Sequence, residues 1–123
     1  MDFINKYSKY YFLVGKLLVV GVFIYFGLDG IFNPSTFSYL IPSFVSNIMS
    51  ADFVVMIHGG IEVACGLMIL LNLGKAWPYV ILILSFIGVL FTVSGTVLVR
   101  DIGIFGGMLL LLSSQHAASC EKC

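Results

Sequence analysis

Long apolar runs separated by short polar interruptions dominate the chain. Four of them approach the roughly 20 residues a helix needs to cross a bilayer. They fall at about residues 10–32, 53–73, 78–99 and 102–118. The last is apolar only as far as Ser114, and it spans by continuing through Gln115 to Ala118 or by meeting a thinned bilayer. Pro78 suits the first turn of the third helix. Gly74 reads as the stop of the second, and Arg100 with Asp101 as the turn before the fourth. The pattern predicts an all-α protein, a transmembrane four-helix bundle folded as a single domain over residues 1–123.

The connection between the first two helices, Asn33 to Asp52, is long and differently patterned. Phe37, Leu40, Ile41, Phe44, Val45 and Ile48 recur at helical spacing, with serines and Asn47 between them. Pro42 breaks the run. Two readings fit: a pair of short amphipathic or re-entrant helical pieces at the interface, folded back over the bundle, or an ordered surface loop.

Composition strengthens the membrane reading. Hydrophobic residues make up 60% of the 123 and charged residues 10%, whereas soluble domains carry about 25% charged residues. A chain this short has too much surface to hide so many apolar side chains from water. The first apolar stretch is too long for a signal-peptide core, carries Lys16 and lacks a following A-x-A-like site, so it reads as a retained span. Formal net charge is zero, and no basic stripe or tail invites nucleic acid.

Lys6, Lys9, Lys75 and Lys122 flank the spans on one side, and Arg100 lies on the other. The positive-inside rule then puts both termini in the cytoplasm, and the expected location is integral to a prokaryotic cytoplasmic membrane. Small residues recur at helical spacing. They are Gly59, Gly60, Ala64 and Gly66 in the second helix, Ser85, Gly88, Thr92 and Gly95 in the third, and Gly103, Gly106 and Gly107 in the fourth. Such residues let helices approach closely in lipid.

Ionisable groups in hydrocarbon cost several kcal/mol unless paired or hydrated, which makes each a functional candidate. His58 and Glu62 are one turn apart and share a helix face. Asp29, Arg100 and Asp101 lie toward the same, outer leaflet in this topology, with Asp52 at the edge of the second helix. Arg100 can pair with Glu62 or Asp29, and His58 with a carboxylate. Together they outline an outward-opening polar pocket roofed by the long connection. It could relay protons, hold a quinone head group or bind a small anion. A buried charge network that only fixes helix register is the alternative. Lys16 reads as a snorkelling lysine.

The tail holds His116, Cys120 and Cys123, a C-x-x-C with a histidine one turn before it. Structural zinc takes four ligands, so three make a weak metal candidate, and a solvated tail is the plainer reading. No nucleotide-binding fingerprint, Walker A motif or nucleophile elbow occurs. The chain therefore carries no cofactor of its own and is not expected to catalyse a reaction alone.

F-G-L-D-G-I-F (Phe26 to Phe32), the following P-x-x-F pieces, E-V-A-C-G-L-M-I-L-L-N-L-G (Glu62 to Gly74) and R-D-I-G-I-F-G-G (Arg100 to Gly107) together resemble the DoxX-like family of small four-helix membrane proteins. The resemblance implies a membrane subunit working beside a redox partner, as in thiosulfate:quinone oxidoreductase, thiol-stress complexes and methylamine-utilisation maturation. A quinone is the ligand that such a subunit could touch. One departure stands out: family members often carry a basic residue after the helix-one glycines, where this chain has Asp29 between Gly27 and Gly30. Glu62 is the polar residue the resemblance carries over. Three expectations follow. The chain is a subunit of, or accessory to, a quinone-linked redox complex; or a non-enzymatic assembly subunit or homo-oligomer; or a small proton-coupled transporter.

Overall fold

The computed structural model describes residues 2–120, with side chains described at residue 3 and over 6–117. Every regular element among the described residues is helical. The α-helices are α1 (Asp2–Phe32), the single turn α2 (Ser43–Ser46), α3 (Ala51–Leu70), α4 (Trp77–Leu90) and α5 (Gly95–Cys120). Segments of 27, 20 and 23 residues in α1, α3 and α5 are long and apolar enough to cross a membrane; α4 is apolar but has 14 residues. At 1.5 Å per residue α4 covers about 21 Å, short of a roughly 30 Å hydrocarbon core.

The ends of these helices follow local chemistry. Ser50 starts α3, its Oγ accepting the Phe53 N–H at 3.4 Å. At the other end Asn72 takes a left-handed φ of 56°. Leu73 N–H then reaches Met68 O at 2.8 Å and Asn72 N–H reaches Ile69 O at 3.2 Å. This is the Schellman closure, so the stop falls at Asn72 rather than at Gly74.

The expected third helix, about 78–99, is interrupted. Val89 O accepts from the Thr92 N–H at 2.9 Å, the Val93 N–H at 3.2 Å and the Thr92 hydroxyl at 2.8 Å, so the last turn of α4 closes on this one carbonyl. Residues 91–94 leave the helix, and α5 begins at Gly95, whose φ is +65°. Arg100 and Asp101 consequently sit inside α5, more than a turn from its start, and not in a turn between helices. The fourth predicted segment, about 102–118, is the later part of this longer helix. Between α1 and α3 the connection folds as two 3-10 turns, Pro34–Thr36 and Ser38–Leu40, followed by α2, which Pro42 precedes as N-cap.

Close contacts set the directions. Gly27 approaches Gly59, Gly30 approaches Val55 and Ile24 approaches Gly66, so α1 and α3 are antiparallel. Val19 lies against Gly107 and Phe26 against Arg100, so α1 and α5 are antiparallel too. The core draws on all four longer helices: Val20 and Phe23, Cys65 and Ile69, Leu82 and Phe86, Met108 and Leu111. Phe23 and Phe86 meet edge to face at 5.1 Å. Outside, Leu18, Leu84 and Leu110 are 68%, 64% and 74% exposed. In lipid that exposure carries no penalty, and helix cohesion comes from van der Waals fit. Leu82 is fully buried, so Leu82→Ala is expected to cost about 2–3 kcal/mol in thermal unfolding in detergent. Leu110→Ala should leave the transition where it is; equal losses would mean that this core is not the one holding the helices.

Candidate functional site

The antiparallel arrangement brings the C-terminal half of α1, the N-terminal half of α3, the end of α4 and the start of α5 to the same end of the molecule. A cavity of about 330 Å³ opens among them, within the usual size of small-molecule sites. Phe23, Phe26 and Phe86 form apolar wall, and Leu40, Ile41 and Pro42 from the α1–α3 connection complete it.

Four of the sequence-derived candidates line this cavity: His58, Glu62, Arg100 and Asp101. His58 and Glu62 project from one face of α3, with Nε2 and Oε1 3.3 Å apart. The glutamate is 6% exposed. His58 Nδ1 lies 3.0 Å from Ser85 Oγ on α4. When the Ser85 hydroxyl donates to Nδ1, the ring proton is on Nε2, on the side of Glu62. The Nε2–Oε1 approach lacks hydrogen-bond alignment, however, and Nε2 is a buried polar atom without a hydrogen-bond partner among the described residues. A buried imidazole nitrogen left unsatisfied in a cavity is a place for a ligand atom or a water.

Arg100 pairs with its neighbour Asp101, Nε to Oδ1 at 2.8 Å, and not with Glu62 or Asp29 as anticipated. Asp101 is 4% exposed, and the arginine Cζ stacks 5.4 Å from the centroid of Phe26. The lining thus holds two carboxylates and one guanidinium. Imidazole and carboxylate side chains are groups suited to proton transfer, and both kinds line this one cavity.

Asp29 stands apart. Its Oδ1 accepts from Asn33 Nδ2 at 2.9 Å, and it does not line the cavity. Asp52 is exposed in the first turn of α3, where a negative charge suits the helix dipole. Lys16 is buried at the opposite end of the molecule. His116 lies on α5, while the side chain of Cys120 and the whole of Cys123 fall outside the described residues. No cluster of metal-ligand side chains occurs among the described residues. Two contributors escaped the sequence reading. Ser85 counted there only as a small packing residue, and its one signal was a hydroxyl within an otherwise apolar helix. Phe26 gave no polar signal at all. Comparison with protein-family models, with curated proteins and with solved structures finds no match to this chain.

Proposed function

We propose that the chain is the integral membrane subunit of, or accessory to, a quinone-linked redox complex. It would be a DoxX-like four-helix transmembrane bundle in a prokaryotic cytoplasmic membrane with both termini cytoplasmic. The observation that carries this reading is the unsatisfied, buried Nε2 of His58 in a cavity walled by phenylalanines. A flat ring with a carbonyl oxygen matches both features, so the residues present fit a quinone head group. A quinone held there supplies a two-electron, two-proton acceptor between the membrane and a redox partner.

The chain's own part is to bind, shield and move protons. His58 Nε2 and the Arg100 guanidinium would hold the oxygens. Phe23, Phe26 and Phe86 exclude water from the ring. Ser85 on Nδ1 favours the Nε2–H tautomer, a donor to a carbonyl oxygen, and Glu62, with Oε1 3.3 Å from Nε2, would take a proton from the ring only after the ring has gained a second one from the bound ligand or a water. The buried Asp101 carboxylate favours a second reading, a proton-coupled transporter with carboxylates on its path.

One experiment separates the readings. The chain, tagged at its N-terminus, is extracted from native membranes in mild detergent, and its protein and quinone contents are measured. Stoichiometric recovery of an oxidoreductase with bound quinone is the expected result. Recovery alone, without quinone, would overturn the redox-subunit reading and favour transport or a homo-oligomer.

A further inference from the structure

Lys16 does not snorkel into water. It is 4% exposed, at the end of the molecule away from the His58 cavity. Its Nζ donates to Asn72 Oδ1 at 2.7 Å, and no ion pair to Lys16 occurs among the described residues. An ammonium removed from water without a counter-charge is costly. The C-terminus of α3 beside it offers at most about half an elementary charge. That does not neutralise Lys16, and a second lysine stands close by.

Lys9, Tyr10, Phe12, Leu13, Lys16 and Asn72 surround a separate cavity of about 260 Å³. Lys9 and Lys16 are two turns apart on one face of α1, roughly 10 Å along its axis. Side chains on a helix tilt toward its N-terminus, which aims both ammonium groups toward the membrane surface. The polar lining offers donors: two ammonium groups, the Tyr10 hydroxyl, and the Asn72 amide nitrogen once Oδ1 is taken by Lys16. No carboxylate is among the described lining residues. The apolar lining, Phe12 and Leu13, is 43% and 51% exposed on the outside of the helices.

We propose that this cavity binds the phosphate of an anionic phospholipid, held by Lys16 and Lys9, with an acyl chain along Phe12 and Leu13. The left-handed Asn72 is the positioning residue: its Schellman turn points Oδ1 at Lys16 and fixes the ammonium at head-group level. The assignment is independent of the redox reading and requires only that the helices lie in a bilayer. Lipid of this kind would anchor α1 to the end of α3 where protein contacts alone leave a charged gap.

The test uses the full chain in neutral detergent, with thermal unfolding and native mass spectrometry as readouts. Added phosphatidylglycerol is expected to stay bound and raise Tm, with about tenfold or greater preference over phosphatidylcholine. Lys16→Met should erase that preference while leaving the protein folded, since it removes a buried charge and keeps an apolar chain. Should that variant fail to fold, Lys9→Gln at an exposed position serves, with the preference reduced several-fold. Equal effects of the two lipids on the wild type, or a preference that survives both substitutions, would overturn the proposal. So would a Tm rise with millimolar inorganic phosphate alone, because free phosphate would then be the ligand.

Discussion

Gly59→Ala is expected to lower the stability of the folded protein by about 2–3 kcal/mol, and Gly59→Leu to leave none to purify. A Cβ at Gly59 runs into the Gly27 carbonyl oxygen and comes within 3.3 Å of Ile31 Cγ1. In the reverse direction a Cβ at Gly27 meets Gly59 O at 2.8 Å, Val63 Cγ2 at 2.9 Å and Glu62 Cβ at 3.0 Å. The nearest obstacle at each position is helix backbone, which cannot rotate aside as a side chain can. Relief therefore requires α1 and α3 to separate. A radial gap of 0.5–1 Å already forfeits a quarter to a half of the dispersion attraction across the contact. In lipid no hydrophobic term offsets that loss. Gly60 is the control, since a Cβ there meets nothing within 4 Å. Thermal retention on size exclusion should fall steeply for Gly59→Ala and hold for Gly60→Ala. Matching curves for the two would mean that α1 and α3 do not pack through this crossing.

That contrast shows what kind of information the sequence holds. Neighbouring glycines at 59 and 60 are equivalent on paper, and only the crossing with Gly27 distinguishes them. Of the small residues noted along the chain, Gly59, Gly66 and Gly107 lie in close helix contacts, whereas Gly88, Gly103 and Gly106 face open space. Periodicity reveals that a helix has a small face. It does not reveal which neighbour uses it, because that depends on pairings between residues about 30 to 90 positions apart.

Helical class and three apolar segments long enough to span were legible because the signal is a sum over 20 or more residues. The interruption after Leu90 was not. It turns on a last turn that closes on Val89 O and on the backbone at Gly95, while the flanking residues are as apolar as a continuous helix would be. Misplacing that break put Arg100 and Asp101 in a turn. Inside α5 they share a helix with Ile104 and reach the same cavity as His58. His58 and Glu62 were readable as a pair because their spacing is local, one turn of one helix. Ser85 and Phe26 were not, since each joins the site only through packing between helices. Asn72 is similar: its left-handed turn is a local preference, but its role against Lys16 spans 56 residues.

On the proposed redox-subunit reading, Glu62→Gln should reduce quinone-linked turnover of the partner complex by about 10²–10⁴-fold, the range typical of losing a positioned acid–base group. Glutamine keeps the length and shape of the side chain beside Gly27 and His58. It cannot exchange a proton with the imidazolium form of His58 across the 3.3 Å gap. The same change removes a carboxylate that is 6% exposed, so the cost of burying a charge disappears. Stability should therefore hold or rise while activity falls, and the amount of partner recovered with the tagged chain should not change. That split is informative because a purely structural carboxylate behaves in the opposite way. If Glu62 only steadied the His58 ring that reaches Ser85 on α4, its loss would loosen the α3–α4 contact, lower Tm and reduce co-purification, with turnover falling in proportion to assembled complex. Turnover measured per recovered complex in native membranes, alongside Tm of the isolated chain, distinguishes the two. Unchanged turnover per complex would remove Glu62 from the proton path, whatever Tm does. A large loss of turnover at constant Tm would leave proton transfer between His58 and Glu62 as the step that the cavity exists to support.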